Sequence, residues 1–471
     1  MEDNGVICML PWLHFTVTMK DSVRPCCRFS QKSNVTIDNY YKEYEWLRKN
    51  MLDGVKTKEC TRCYIEDQNT HSMRSTANKN FKLKEINNLT IEPLPLKFIE
   101  ISLDNTCNLE CKMCNSLFSS KLLKRDIMLH DSNPNMFGDD IQFMKPAKVN
   151  NKSRFEKLKA LDISWEHLTE IKLLGGEPFL SPQFKEFLIF FISKGNPDKI
   201  TLEIVTNCTK ILQDDVVILL NKFKKIRLTG SIDGIYKYND YQRVNSNFED
   251  SVKNYKLYLQ QLNNISKPHI HITWSILNIN CINETIDFWE KEKKNMPGLT
   301  ISSAVASGLT SPTHAPPWYH LWLDSIVDWN QHTMTKVTKQ EIDQTSNFNN
   351  KNWKLIQKQI KLTDKFYKMS LEDYNPELYN FFKKYEKYDT FIEDVAKEKI
   401  DLIEEFKIRH HEEVAELNLR NNLTVEASRK NIKEINLVHN QKLQNSIKKE
   451  TIEKVIGKSL YNFYFGRNNE M

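Results

Sequence analysis

The sequence predicts an α/β protein with a parallel sheet, on three observations. Between residues 98 and 305, short apolar runs of strand length alternate with longer stretches of helical periodicity. The order is strand then helix throughout, which is the order that builds parallel sheets with helices outside them. The chemically distinctive residues fall just after separate strands: Cys107, Gly175-Gly176-Glu177, Thr206-Asn207 and Ser231-Asp233-Gly234. Sites in such sheets gather at the carboxyl ends of strands, where loops converge.

Taken in order, residues 1–80 hold Cys8, Cys26, Cys27, Cys60 and Cys63, half of the 10 cysteines. His14-Phe15-Thr16-Val17-Thr18 alternates as a strand. A turn at Lys20-Asp21-Ser22 and a return over 23–27 make a hairpin. An amphipathic helix is expected over 41–51, followed by Cys60-Thr61-Arg62-Cys63. Glu66, Ser72 and Arg74 read as capped or solvated loop residues, with contact to a substrate as the other reading. Pro93 and Pro95 place a linker at 81–96, before a core over 97–310.

Within the core, strands are expected at 98–103, 170–174, 200–206, 226–232, 270–277 and 299–305. Helices are expected at 117–129, 183–194, 215–223, 248–262 and 282–293, with an insertion around Pro134, Gly138 and Pro146. Past residue 311 the pattern changes. Pro312, Pro316 and Pro317 break the chain, and Trp318, Trp322 and Trp329 suggest a helix packing on the core, within a helical region over 311–390. Residues 391–471 are dense in Glu, Lys and Asn, reading as a charged helical tail that packs along the core or takes a partner.

Composition narrows the function classes. With 40% hydrophobic and 27% charged residues among 471, the chain can bury sizeable cores, and its length suggests two or three domains. A net charge of +6, with both signs interspersed, does not indicate nucleic acid. The start MEDNGVICMLPW lacks the basic and apolar regions of a signal peptide, and no apolar run is long enough to span a bilayer. A cytoplasmic protein without membrane attachment is the expectation, with thiols serving metals or catalysis.

The chemistry centres on Cys107, Cys111 and Cys114, spaced CxxxCxxC. Thiolates bind iron well, and three of them on a four-iron, four-sulfur (4Fe-4S) cluster leave one iron open to another ligand. The bland alternative is a zinc loop lacking its fourth ligand, although zinc sites ordinarily show a second ligand pair nearby. The earlier cysteines can assemble a four-thiolate site, which suits zinc as well as iron. Cys208 and Cys281 lack sequence partners and read as core or strand-end thiols. The 12 histidines show no metal spacing, and His410-His411 sits in a charged stretch.

In the setting DNTCNLECKMCNS, these three cysteines resemble the signature of the radical S-adenosylmethionine (radical SAM) superfamily. Leu173-Leu174-Gly175-Gly176-Glu177-Pro178 resembles that family's GGEP motif. The resemblance covers residues 1 to about 310 and implies a partial (β/α)6 barrel. A small N-terminal Cys-rich hairpin and helix module would precede it, with a helical C-terminal extension after it. It implies Cys107, Cys111 and Cys114 as ligands of a 4Fe-4S cluster that binds S-adenosyl-L-methionine. Gly175, Gly176 and Glu177 would bind the methionine amino group of that cofactor. Met113 stands where the family commonly has an aromatic residue against adenine. Asn207 and Ser231 are candidates for ribose or carboxylate contacts, or ordinary turn residues. Arg243 would pair with the cofactor carboxylate, or is solvated. Asp233-Gly234 reads as a turn.

The hairpin cysteines with the later CxxC resemble the auxiliary-cluster module of the SPASM or twitch type. Here it precedes the core, where the family places it after. By that pattern Cys8, Cys26, Cys60 and Cys63 are the ligands of an auxiliary iron–sulfur cluster, zinc being the alternative, with Cys27 the ambiguous neighbour. The implied activity is reductive cleavage of S-adenosylmethionine to a 5′-deoxyadenosyl radical, driven by an external one-electron reductant. That radical would take hydrogen from a peptide, protein or small-molecule substrate. The competing reading is a zinc-stabilised, non-catalytic scaffold on a degenerate core.

Overall fold

The computed structural model describes residues 5–19, 22–30, 35–36, 39–69, 72–83, 88–132, 151–161, 163–308, 310–345 and 350–384. The Lys20-Asp21 part of the turn, the insertion around Pro134, Gly138 and Pro146, and the 391–471 tail with His410-His411 lie outside the described residues. The strands are β1 (His14–Val17), β2 (Val23–Arg24), β3 (Phe98–Ser102), β4 (Glu170–Leu174), β5 (Thr201–Thr206), β6 (Lys225–Ser231), β7 (His269–Trp274) and β8 (Thr300–Val305). They form one sheet in the order β2-β1-β3-β4-β5-β6-β7-β8. Pairing is parallel from β1 through β3, β4, β5 and β6 to β7, and only the β1–β2 hairpin is antiparallel among the pairs with assigned register. The predicted α/β class with a parallel sheet is what is observed.

The hairpin does more than the sequence indicated. Its first strand lies parallel to β3, with Phe15 opposite Ile99 and Val17 opposite Ile101. All four side chains are buried, so the hairpin extends the apolar face of the sheet as well as its backbone ladder. The expected sheet of six strands is therefore one of eight.

The parallel strands alternate in character. On one face Ile99, Ile171, Leu173, Leu202, Ile204, Ile226, Leu228, Ile270 and Ile272 are buried. Helices cover this face. The helix Phe184–Lys194 buries Phe184, Phe187, Leu188 and Phe191, the i, i+3, i+4, i+7 spacing of a single stripe. Full burial of each such side chain stabilises by about 1.5–3 kcal/mol. Val17, Ile101 and Leu103 meet Phe155, Leu158 and Phe187 around one small void. The helix Phe248–Gln261 buries Tyr255, whose hydroxyl donates to the carbonyl of Leu228 at 3.1 Å. On the opposite face the same strands carry Glu100, Lys172, Glu203, Arg227, His269 and His271. Parallel strands covered by apolar layers on both faces would read as continuous apolar runs. These do not, so one face is polar and available for chemistry.

Two helix expectations are corrected. The helix expected over 117–129 begins as a 3-10 turn, Ser120–Leu122, and becomes α-helical at Leu123–Ser132. The preceding residues are spent holding the cysteine loop, with Ser119 Oγ donating to Leu109 O at 2.8 Å and Ser120 N to Asn105 O at 2.7 Å. The helix over 41–51 divides into Tyr40–Glu43 and Glu45–Leu52.

The chain forms two compact units, one of residues 1–273 with 284–304 and the other of residues 274–283 with 305–471. Among its described residues the second unit is helical, with Pro317–Ile326, Thr333–Thr345, Asn350–Tyr367 and Pro376–Lys384 as its longer helices. Its core includes Tyr319, Leu323, Trp353 and Phe381, and Trp322 stacks on Phe381 at 4.7 Å between ring centroids. Trp318 and Trp322 share the first of these helices as expected, but Trp329 lies beyond its end and donates from Nε1 to Asp324 at 2.8 Å. No helix among the described residues is long and apolar enough to cross a membrane.

Candidate functional site

The loop after β3 carries Cys107, Cys111 and Cys114, and hydrogen bonds tie it down from several sides. Arg125, 1% exposed, donates to Cys111 O at 3.0 Å and Cys114 O at 2.5 Å. Its charge is met by Asp126, whose other oxygen accepts from Ser116 N at 2.6 Å. Glu110 N and Lys112 N donate to the carbonyls of Val244 and Gln242 at 3.0 and 2.8 Å, joining the loop to the segment after β6. A loop so heavily bonded presents its thiols on a fixed frame, the condition for holding a cofactor in one orientation.

The Gly-Gly-Glu turn after β4 seats directly on this loop. Gly176 N donates to Asp104 O and Glu177 N to Thr106 O, both at 2.8 Å. Gly175 has φ +148°, and a Cβ there would lie 2.7 Å from Asp104 O. A Cβ on Gly176 would lie 2.8 Å from the carbonyl carbons of Asn105 and Thr106. Backbone atoms cannot swing away, so both glycines are required by this close approach. The Glu177 side chain is buried and accepts from Phe179 N, Thr206 Oγ1 and Asn207 N at 3.1, 2.8 and 2.6 Å. Burial pushes its carboxyl up to about 7 in spite of those bonds. The carboxylate is thus occupied with protein donors, fixing the ends of β4 and β5 relative to each other.

Asn207 follows β5 and reaches the loop. Its Nδ2 donates to Asn108 Oδ1 at 3.0 Å and lies 3.8 Å from Cys107 Sγ. Ser231, at the end of β6, is half-buried, with its backbone against the buried thiol of Cys208. Met113 is half-buried in the turn before Cys114.

Arg243 is buried rather than solvated. Its Nε donates to Asp233 Oδ2 at 2.7 Å, and Asp233 Oδ1 accepts from Thr273 N at 2.7 Å. Asp233 is therefore a buried partner of Arg243 and more than a turn residue. The neighbouring carboxylate holds the Arg243 guanidinium charged despite its burial. That charge draws down both the Cys111 thiol and the Glu177 carboxyl, against the larger upward push of burial.

Burial raises all three loop thiols, Cys114 to about 11, and each is raised further by charge on its neighbours. Free thiols would stay protonated here. Thiolates need a cationic partner, and a donor set of three sulfurs, with Cys111 buried and Cys107 and Cys114 half-buried, fits iron.

A second group of thiols lies in the N-terminal segment. Cys8 is buried, Cys26 follows β2, Cys60 ends a 3-10 turn and Cys63 lies in the first turn of the helix Thr61–Asn69. Charge on Cys26, Cys60 and Cys63 acts on the Cys8 thiol, which burial pushes up. Cys27 is oriented differently: its thiol is influenced by Glu100 and Lys172, and its Sγ lies 3.8 Å from Met73 Sδ. The thiols of each group are within electrostatic reach of one another. Among the described residues, however, no three His, Cys, Asp or Glu side chains converge closely enough to hold a single metal ion.

Arg74, read from sequence as a capped or solvated loop residue, is buried. It pairs with Asp67 at 2.7 Å and donates to Ile7 O at 2.9 Å, bracing the segment that carries Cys8. Glu66 pairs with Arg28 and Arg62, and Ser72 caps the helix Met73–Asn80. Sequence reasoning missed Asp104, Lys112, Arg125 and Asp126. Asp104 stands in the DNTC run beside the motif, a signal that could have flagged it. Lys112 lies inside the motif, with its ammonium over the Tyr241 ring at 3.3 Å.

No family model and no curated protein matches the chain. Solved structures resemble it distantly. One is native anSMEcpe with bound AdoMet and Cp18Cys peptide, at TM-score 0.30 and 16% identity, covering 49% of this chain and 58% of that one. Another is Streptococcus suis SuiB bound to S-adenosylmethionine, at TM-score 0.30 and 17% identity, covering 67% and 61%. A further crystal structure of Streptococcus suis SuiB gives TM-score 0.30 and 17% identity, covering 71% and 69%. The chain therefore spans under two thirds of the first two. Likenesses of this size establish no family membership.

Proposed function

We propose that the chain is a radical SAM enzyme that cleaves S-adenosylmethionine reductively and takes hydrogen from a peptide, protein or small-molecule substrate. The observation that carries this reading is the docking of the Gly-Gly-Glu turn onto the three-cysteine loop. Gly176 N to Asp104 O and Glu177 N to Thr106 O join two sequence motifs that stand about seventy residues apart in the chain.

Cys107, Cys111 and Cys114 would hold a 4Fe-4S cluster, and the Gly175-Gly176 backbone would lie against S-adenosylmethionine. When bound, the pair supplies a 5′-deoxyadenosyl radical after one electron enters from an external reductant. The chain's own residues serve that chemistry by position. Arg125 anchors the loop through two carbonyls, and Arg243 places a buried positive charge beside Cys111. Glu177 fixes the ends of β4 and β5 relative to each other, next to the loop that carries Cys107. Cys8, Cys26, Cys60 and Cys63 would hold an auxiliary iron–sulfur cluster.

The test is chemical. Anaerobically reconstituted protein is given S-adenosylmethionine and a strong one-electron reductant, and 5′-deoxyadenosine is measured by chromatography. The proposal expects the product from the parent chain and none from the variant with Cys107, Cys111 and Cys114 all changed to Ala. Product formation by both, or by neither when iron is present, contradicts it.

A further inference from the structure

A row of side chains crosses the polar face of the sheet. In strand register it runs Arg24, Thr16, Glu100, Lys172, Glu203, Arg227, from β2 through β1, β3, β4 and β5 to β6. Most of its charges are mutually satisfied. Lys172 Nζ meets Glu203 at 2.8 Å, and Arg227 meets Glu170 at 2.7 Å and Glu203 at 3.7 Å. Glu100 is the exception. It is 2% exposed, yet no ion pair or hydrogen bond engages its carboxylate among the described residues, and Lys172 acts on it only at longer range.

Two more polar atoms beside it are orphaned. Thr16, opposite Glu100 on β1, is 4% exposed with no partner for Oγ1. His14, one step along the same face, is fully buried. Its Nδ1 lies 2.8 Å from Pro25 O, which requires the proton on Nδ1 and leaves Nε2 as a bare acceptor without a partner. Burial, with a smaller contribution from the nearby Lys172 charge, keeps the ring neutral. Buried polar atoms are nearly always hydrogen-bonded, so three acceptors left open on one patch call for a bonding partner.

We propose that Glu100, Thr16 and His14 form a recognition site for a primary ammonium group of the substrate, whose three N–H donors match these three acceptors. The negative charge of Glu100 makes the contact charge-assisted. Across Thr16, the half-buried Arg24 has an unpartnered Nε, a donor for a carbonyl beside the amine. This deepens the proposed function, resting on its reading that the chain takes hydrogen from a substrate, which is here placed on the polar face of the sheet. The ammonium could belong to a lysine side chain or to a free α-amino group.

The test measures binding directly by saturation-transfer NMR on the full chain, reconstituted with iron and sulfide and supplied with S-adenosylmethionine. The probes are Nα-acetyl-lysine methylamide, alanine methylamide and Nα-acetyl-alanine methylamide, carrying a side-chain ammonium, an α-ammonium and none. At least one ammonium probe should bind and the fully capped alanine should not; which of the two binds identifies the source. Glu100→Gln should weaken binding about tenfold or more, and Thr16→Val about fivefold, with circular dichroism unchanged. Equal binding by all probes, no binding by either ammonium, or undiminished binding in folded Glu100→Gln overturns the proposal. The same titration on protein that takes up no iron separates failure of this site from failure of the cofactor reading.

Discussion

Replacing Arg125 with Met tests whether the cysteine loop is held as described. Arg125 and Asp126 are both 1% exposed and paired at 2.5 Å, and Arg125 also donates to the carbonyls of Cys111 and Cys114. Surface pairs are worth little, but removing one member of a buried pair leaves an uncompensated charge and costs about 3–5 kcal/mol. The single change should therefore destabilise the chain by roughly 4 kcal/mol. With a urea slope of about 3 kcal/mol/M, the unfolding midpoint would fall by about 1.3 M. Adding Asp126→Leu removes the stranded carboxylate and should recover part of that loss. Recovery is incomplete, because Ser116 N and Cys114 O are left without these partners and Cys111 O keeps only its bond from Cys114 N at 3.0 Å. The assay is urea unfolding of the reduced protein for parent, single and double variants, followed by circular dichroism. A midpoint shift under about 0.3 M for Arg125→Met would refute the reasoning. So would a double variant no more stable than the single one.

Gly176→Ala forces a Cβ to within 2.8 Å of the Asn105 and Thr106 carbonyl carbons. It should cost about 1–3 kcal/mol and lower iron retention after reconstitution, both read on one preparation. Acid should destabilise both units through buried neutral histidines. His14 is lowered to about 4 and His320 to about 3, each chiefly by burial. Unfolding restores a value near 6.5, so below that pH the unfolded chain binds more protons than the folded one. Stability is then complete above about pH 6.5 and falls by up to about 1.4 kcal/mol per pH unit for each histidine until the folded value is reached. His14→Phe should flatten this slope between pH 6.5 and 4 in thermal unfolding of the first unit; an unchanged slope would assign the acid sensitivity elsewhere. Asn207→Leu removes the bonds to Asn108 and the approach to Cys107, and should cost about 1–3 kcal/mol by leaving Asn108 Oδ1 with one donor fewer. Unfolding by urea checks it.

The strands were legible because period-two alternation is written locally. Leu202 and Ile204 against Thr201 and Glu203 suffice to place β5 and its faces. Which strand pairs with which is a different kind of information. Nothing in His14-Phe15-Thr16-Val17 announces that it will lie beside Phe98 to Ile101, some eighty residues later. The cysteine loop was legible because ligand spacing is also local: Cys107, Cys111 and Cys114 lie within eight residues. Its supports were not. Arg125 and Asp126 are adjacent on a helix, and an adjacent charged pair looks solvated until tertiary packing buries it. Asp233 looked like a turn beside Gly234, and only the fold brings Arg243 and Thr273 to it. Glu177 was visible in its motif, but its donors come from Phe179, Thr206 and Asn207, most of them on another strand end.

The central claim is that Cys107, Cys111 and Cys114 hold an iron–sulfur cluster distinct from a second site at Cys8, Cys26, Cys60 and Cys63. Iron and acid-labile sulfide, measured after anaerobic reconstitution of the parent and of the variant with the three loop cysteines changed to Ala, tests it most directly. The account predicts about eight irons per chain falling to about four. Four falling to none, with zinc retained, would keep the loop cluster and reassign the N-terminal thiols to a structural metal. A parent chain that binds zinc and no iron would contradict the account.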